Sequence, residues 1–405
     1  MPPLPPKNFV PEPFQYHTEL ELTIHTLTNE GRGIGRINNW TIMVPFVIPG
    51  EKVRVRIFRN HKNYSEADLM EIIEPSPERI QPLCPLFGKC GGCQYQHISY
   101  ESQLKWKQQQ VFDCFERIGK IKTKVQPVIP SEKTFGYRTK LTPHFERHGQ
   151  HCPIGFLIDG NKRTIIDVPQ CPIASKKIND VLPKVRKKIQ NADLRHGTLL
   201  LREYDDGVTT DFNTNCVSTV HDLTFKFPAG SFFQNNPYIL KAIFKFLEGI
   251  IKQKSDIHYL VDTYCGVGVF GIALSKFVNQ FIGIEIDEKS IQLAHENMQK
   301  NHVLNGKFIA GDAQTIFQNV TFIPSETLVI MDPPRKGTDD TFLHQLAAFK
   351  PKCIAYISCA PDTQARDINR LLTSAPEYKI TMVQPFDMFP QTKHMECVVL
   401  LERQV

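Results

Sequence analysis

From residue 19 to residue 74 apolar and polar side chains alternate in short runs, broken by a glycine-rich turn over 31–36 and by Pro49-Gly50. Period two with frequent turns predicts short antiparallel strands, enough here for a small β-barrel. Lys52, Arg54 and Arg56 fall on one face of such a strand, and Val53, Val55 and Ile57 on the other. One face is core and the other cationic, which suits either solvent or a polyanion. Over residues 100–119 the period lengthens, with Leu104, Val111, Phe115 and Ile118 at helical spacing. Residues 125–227 return to β-like alternation, interrupted by a basic amphipathic stretch over 175–190 whose lysines read as a solvated face. From Pro237 the pattern predicts helix 239–252, strand 257–262, helix 270–276, strand 281–285 and helix 289–301. Strands alternating with helices make βαβ units on a mostly parallel sheet, whose ligand crevice lies at the carboxyl ends of the strands.

The expected fold class is therefore α/β: a Rossmann-like domain over 230–405, preceded by an OB-like barrel over 14–75 and a central α+β domain over 76–229. Residues 1–13 are proline-rich and read as an extended, flexible arm. With 405 residues, 41% of them hydrophobic, there is material for more than one core. No run is long and apolar enough to span a bilayer, and the first residues lack a signal-peptide pattern, so a cytoplasmic protein with no membrane partner is expected. In that compartment eleven cysteines argue for metal ligation or catalysis rather than disulfides. A net charge of +6 is compatible with a polyanionic partner without requiring one.

After the strand 257–262, Gly266, Gly268 and Gly271 follow the spacing G-x-G-x-x-G, and Glu285 lies where a carboxylate accepts hydrogen bonds from a ribose diol. That pattern serves S-adenosylmethionine and nicotinamide nucleotides equally. Gly311-Asp312-Ala313 and Asp332-Pro333-Pro334-Arg335 end the next two strands; prolines there stop the strand and project a carboxylate and a rigid loop into the crevice. Cys359 ends another apolar strand just before a helix, the place for a nucleophile, although a buried cysteine acting as a small hydrophobe is the commoner case. In the last strand pattern Thr392, His394 and Glu396 share one face. Glu396 opens an apolar run, where a carboxylate is costly unless paired or used, so it is preferred as a base over His394. Cys84, Cys90 and Cys93 are spaced for a metal, and Cys152 and Cys171 compete as fourth ligand; zinc and an iron–sulfur cluster both satisfy such thiolates.

Seven motifs in order carry a resemblance over nearly the full length: the barrel, the three clustered cysteines, residues 230–237 (GSFFQNNP), Tyr264-Cys265-Gly266, residues 332–337 (DPPRKG), Ser358-Cys359 and His394-Met395-Glu396. The chain resembles the RNA (uracil-5-)-methyltransferases of the RlmD, RlmC and TrmA type, with the barrel as a TRAM domain. The resemblance implies a monomeric RNA (uracil-C5-)-methyltransferase using S-adenosyl-L-methionine, with Cys359 adding to uracil C6 and Glu396 removing the C5 proton. It implies Gln234, Tyr264, Glu285 and Asp332 around the cofactor and base, Asp312 as a weaker cofactor contact, and a [4Fe-4S] cluster on Cys84, Cys90, Cys93 and Cys171. It also implies that helix 100–119 packs on the catalytic domain. The barrel and cysteines point to the branch acting on 23S rRNA. The alternatives are a tRNA uridine-5 methyltransferase, a nucleotide-cofactor oxidoreductase with an iron–sulfur cluster, and a non-catalytic RNA-binding protein.

Overall fold

The structure is a computed structural model that describes residues 5–161, 163–311 and 316–404. The chain forms two compact units. One contains the residues up to Gln110 together with Phe156–Val168 and Gln391–Lys393; the other contains Val111–Gly155, Pro169–Pro390 and the chain from His394 onward.

In the first unit β1 (Glu19–Leu27), β2 (Gly33–Ile37), β3 (Trp40–Val44), β4 (Lys52–Asn60) and β5 (Tyr64–Glu74) close a barrel in the order β1-β2-β3-β5-β4. Leu22, Ile24, Ile42, Val53, Val55 and Ile57 fill it, the inward set that period two requires. Gly35 has no room for a side chain, since a Cβ there would collide with the Leu22 side chain. The cationic face of β4 is not free. Lys52 and Arg54 lie 3.7 and 3.1 Å from Glu21, Arg54 also 2.6 Å from Glu71, and Arg56 3.1 Å from Asp68. The positive stripe is one rail of an ion-pair ladder, which removes it as a ready polyanion contact.

Helix α1 (Tyr100–Asp113) continues through a widened turn over Cys114–Ile118, closed by the Gly119 amide donating to the Cys114 carbonyl at 3.0 Å. Its stripe differs from the expected one. Within the first unit the helix buries Ser102, Gln103, Lys107 and Gln110, whereas Ile118 is 47% exposed. Buried amides satisfy themselves with specific partners: Gln103 Nε2 donates to the Ile98 carbonyl and to Gln391 Oε1, and Gln110 Nε2 donates to the Thr28 carbonyl. Gln391 holds this layer further, its amide donating to Gln103 and its carbonyl accepting from Gln94 and Tyr95.

The second unit contains α2 (Lys176–Asn191), capped by Ser175, and a seven-stranded sheet. The sheet strands are β6 (Tyr259–Thr263), β7 (Gln280–Glu285), β8 (Gly306–Ala310), β9 (Thr327–Met331), β10 (Cys353–Ser358), β11 (Tyr378–Phe386) and β12 (Glu396–Arg403). They run in the order β8-β7-β6-β9-β10-β12-β11, all parallel except β12, which is antiparallel to both neighbours. Helices α3 (Pro237–Gln253), α4 (Val269–Leu274), α5 (Glu288–Lys300), α6 (Asp340–Phe349) and α7 (Pro361–Ser374) belong to the same unit. Two apolar clusters divide the strand side chains: Leu260, Ile330, Ala355 and Val398 in one, Val261, Val329, Ile354 and Val399 in the other. Val111 and Phe115 of the α1 segment join the second cluster. Strand order reverses between β6 and β9, which opens a crevice at their carboxyl ends. The last strand begins later than its period predicts: Gln391 takes a positive φ of 70° after Pro390, and regular pairing starts only at Glu396.

Candidate active site

At the end of β6 the backbone enters the left-handed region at Tyr264, Gly266 and Gly268 (φ 60, 52 and 86°), so the chain turns tightly into α4. A side chain at Gly268 would meet the Phe308 ring at 2.5 Å. The loop is held from both sides by carboxylates. Glu285, at the end of β7, accepts the Gly266 amide at 3.1 Å and the Ile286 and Asp287 amides at 2.9 and 3.1 Å. Asp262 is fully buried in β6 and accepts the Gly271 amide at 2.9 Å through one oxygen, while the other is buried without a partner. Burial pushes its pKa up to about 8, with the charges of Asp332 and Glu285 adding to the shift. Sequence reading passed over Asp262; the available signal was a carboxylate on the strand that leads into the glycine turn.

The ends of β9 and β10 and the start of β12 bring the remaining groups together. Burial raises Asp332 to about 7. Glu396 is buried and held well above the ordinary carboxyl range by desolvation and by Asp332, an effect that Arg335 opposes. Cys359 is half-buried at the turn into α7, and burial, then the charge of Glu396, push its thiol up to about 11 against a lowering hydrogen bond from Arg335. Arg335 Nη2 also lies 3.3 Å from His394 Nδ1. A thiol, two carboxyls, a guanidinium and an imidazole therefore face one another. Sequence reading took Arg335 only as part of a motif and not as the cation that couples the nucleophile and the carboxyl.

The loop bearing Arg335 is fastened to α7. Asp367, fully buried, accepts the Thr338 amide and the Tyr356 hydroxyl, each at 2.9 Å, and pairs with Arg366, which donates on to the Lys336 carbonyl at 2.8 Å. Thr363 Oγ1 donates to the Arg335 carbonyl at 3.0 Å. Tyr264 reaches the same loop, its hydroxyl 3.0 Å from Thr338 Oγ1. Gln234 lies half-buried in a loop organised by the buried Arg202, which donates to the carbonyls of Ala229 and Ser231 and to Asn235 Oδ1. Asn236 ends that loop as the cap of α3, while its amide donates to Ser131 Oγ and the Met388 carbonyl. Asp312, expected at the cofactor, lies outside the described residues.

Among the described residues no group of three or more His, Cys, Asp or Glu side chains is gathered as a metal requires. Burial raises the Cys90 thiol above its ordinary pKa, and Cys84 and Asp159 raise it further. The iron–sulfur cluster expected on Cys84, Cys90, Cys93 and Cys171 therefore has no support from a gathered donor set among the described residues.

Comparison with known proteins adds to this geometry. Residues 207–404 match the family model described as tRNA (Uracil-5-)-methyltransferase, and residues 20–78 match the TRAM domain of tRNA (uracil(54)-C(5))-methyltransferase. The tRNA (uracil(54)-C(5))-methyltransferase of Schizosaccharomyces pombe is 40% identical, over 97% of this chain and 80% of its own length. This chain belongs to the tRNA (uracil-5-)-methyltransferase family. It is an RNA uracil-C5 methyltransferase with an N-terminal TRAM barrel. The Saccharomyces cerevisiae tRNA (uracil(54)-C(5))-methyltransferase is 31% identical over 96% of this chain and 74% of its own length. In fold, this family member resembles the Pyrococcus abyssi tRNA (uracil-54, C5)-methyltransferase solved with S-adenosyl-L-homocysteine, at TM-score 0.72 and 24% identity, covering 94% of this chain and 100% of that one. The named relatives are transfer-RNA enzymes, and the matching TRAM model carries the same name, so the barrel does not mark a ribosomal branch as the sequence reading expected. Among the described residues no helix is long and apolar enough to cross a membrane.

Proposed function

We propose that this enzyme methylates C5 of a uridine in transfer RNA, position 54 being the one named for its relatives, with S-adenosylmethionine as methyl donor. The observation that carries the reading is the convergence of Cys359, Glu396, Asp332 and Arg335 at the carboxyl ends of the sheet. Uracil C5 is too weak a nucleophile to attack unaided. In the proposed sequence the Cys359 thiolate adds to C6, the electron pair moves to C5, and Arg335 stabilises the sulfur anion before addition. The bound cofactor supplies a methyl group on a positively charged sulfur. Glu396 then removes the C5 proton, and the C6–S bond breaks to return the thiolate. Burial beside Asp332 makes Glu396 a stronger base than a solvated carboxylate, which suits that step.

Cofactor binding is assigned to the glycine turn, Glu285, Tyr264, Gln234 and Asp332. Support comes from the unpartnered Asp262 oxygen beneath the turn and from the open space at Gly266, where an added Cβ would meet nothing within 4 Å. The test is transfer of labelled methyl groups to an unmodified tRNA transcript, to the same transcript with cytidine at position 54, and to 23S rRNA. Label in the first alone is expected. Label in ribosomal RNA alone would overturn the tRNA assignment.

A further inference from the structure

We infer that the second unit carries a self-association face: Leu304 of one molecule enters a pocket on a second copy of this chain, and the second copy returns the same contact. The face lies away from the crevice, at the amino ends of β7 and β8, where residues 275–277 and 301–305 lead into those strands. The pocket has a volume of about 420 Å³, room for a leucine side chain and its neighbours. Phe244 and Ile272 are buried at its floor, Leu223, Phe277 and Val303 are half-buried above them, and Asp222, Lys276 and Leu304 stand at the rim.

Leu304 is 95% exposed, the most exposed large apolar side chain among the described residues. Its backbone is held on both sides. Asn301 accepts the Thr224 amide at 2.8 Å and donates to the Thr224 carbonyl at 2.7 Å, while Asn305 donates to the carbonyls of Ser275 and Val278 at 2.8 and 2.9 Å. Val303 packs on the core cluster between these anchors, so Leu304 is a fixed apolar knob that loses little freedom on docking. A knob and a hole on one patch are what a two-fold contact needs, because each copy presents the same surface to the other.

The charges follow the same rule. Glu248 is matched by Lys252 at 2.6 Å, which leaves Lys276, exposed and 5.2 Å over the Phe277 ring, as the cation of the rim. Asp222 has the His221 imidazole at 3.1 Å and is otherwise open, its side chain 89% exposed. Turned about a two-fold axis, Lys276 meets Asp222 of the partner subunit and Asp222 meets the partner's Lys276. Opposite charges lying on one patch thus pair twice across the contact, which fits a second copy of this chain as the occupant. This departs from the monomer that the family resemblance implies. The face lends no residue to the crevice, so its failure would leave the proposed methylation standing.

Sedimentation velocity of the full chain from about 1 to about 100 µM should show monomer passing to dimer. Leu304→Asp changes a solvent-facing side chain and should weaken dimerisation by about tenfold or more. Lys276→Glu and Asp222→Lys should each weaken it about tenfold, and the two together should restore it, because a two-fold contact sets each against the other. A chain that stays monomeric throughout, a dimer indifferent to Leu304→Asp, or a double variant no better than the singles would overturn the proposal. A monomer whose pocket saturates with one anilinonaphthalene sulfonate would make it a small-ligand site and overturn it as well.

Discussion

Cys359 is not an activated thiol in the resting enzyme. Burial and Glu396 hold its pKa near 11, so at pH 8 the thiolate is a small fraction, about one part in a thousand. Alkylation of Cys359 by iodoacetamide should therefore rise about tenfold per pH unit between pH 7 and 10. Arg335→Gln, which deletes the lowering hydrogen bond, should move that curve to higher pH; mass spectrometry of the Cys359 peptide reads both. Substituting Cys359 by serine should abolish the covalent adduct with 5-fluorouridine tRNA and cut turnover by about a thousandfold or more. Glu396→Gln should form a methylated adduct on ordinary tRNA that persists on a denaturing gel, because the C5 proton then has no acceptor. Free turnover by that variant at the wild-type rate would remove Glu396 from its role.

At the level of elements, the site depends on the loop after β9 being tied to α7. Asp367→Ala leaves the Thr338 amide and Tyr356 hydroxyl without their buried acceptor and should cost about 3 kcal/mol in urea unfolding, with loss of activity in the protein that still folds. The sheet and its helices were legible because β9 and β10 are buried on both faces and read as continuous apolar runs. The α1 stripe was misread because its first turns bury amides and a lysine, which hydropathy scores as solvent-facing. The start of β12 was misread because a positive φ at Gln391 leaves no periodic trace. Cys359 and Glu396 stood out by chemistry at the ends of apolar runs. Arg335, Asp262 and Asp367 act through partners far away in sequence, and a one-dimensional pattern carries no record of such pairs.

At the scale of the whole molecule, one buried group in each unit should tie stability to pH, in opposite senses. In the first, burial lowers His97 to about 3, so its contribution is complete above the unfolded value near 6.5 and is lost as pH falls toward 3. In the second, burial raises Asp262 to about 8, so its contribution is complete below the unfolded value near 3.8 and is lost as pH rises toward 8. Both tryptophans lie in the first unit. A melt followed by tryptophan fluorescence should therefore shift upward from pH 4.5 to 7. The calorimetric transition of the second unit should shift downward over pH 5 to 8.5, and Asp262→Asn should flatten that slope.

The chain leaves the catalytic unit after Pro390, spends three residues in the barrel's unit, and returns at His394, two residues ahead of the proposed base. The molecule consequently cannot be divided by a single scission. A fragment ending at Gln110 would lack the acceptor that Gln94, Tyr95 and Gln103 share, and its complement would carry that acceptor unused. Two such pieces made separately should be poorly folded alone, because Phe156–Val168 and Gln391–Lys393 of the first unit would both sit on the second piece.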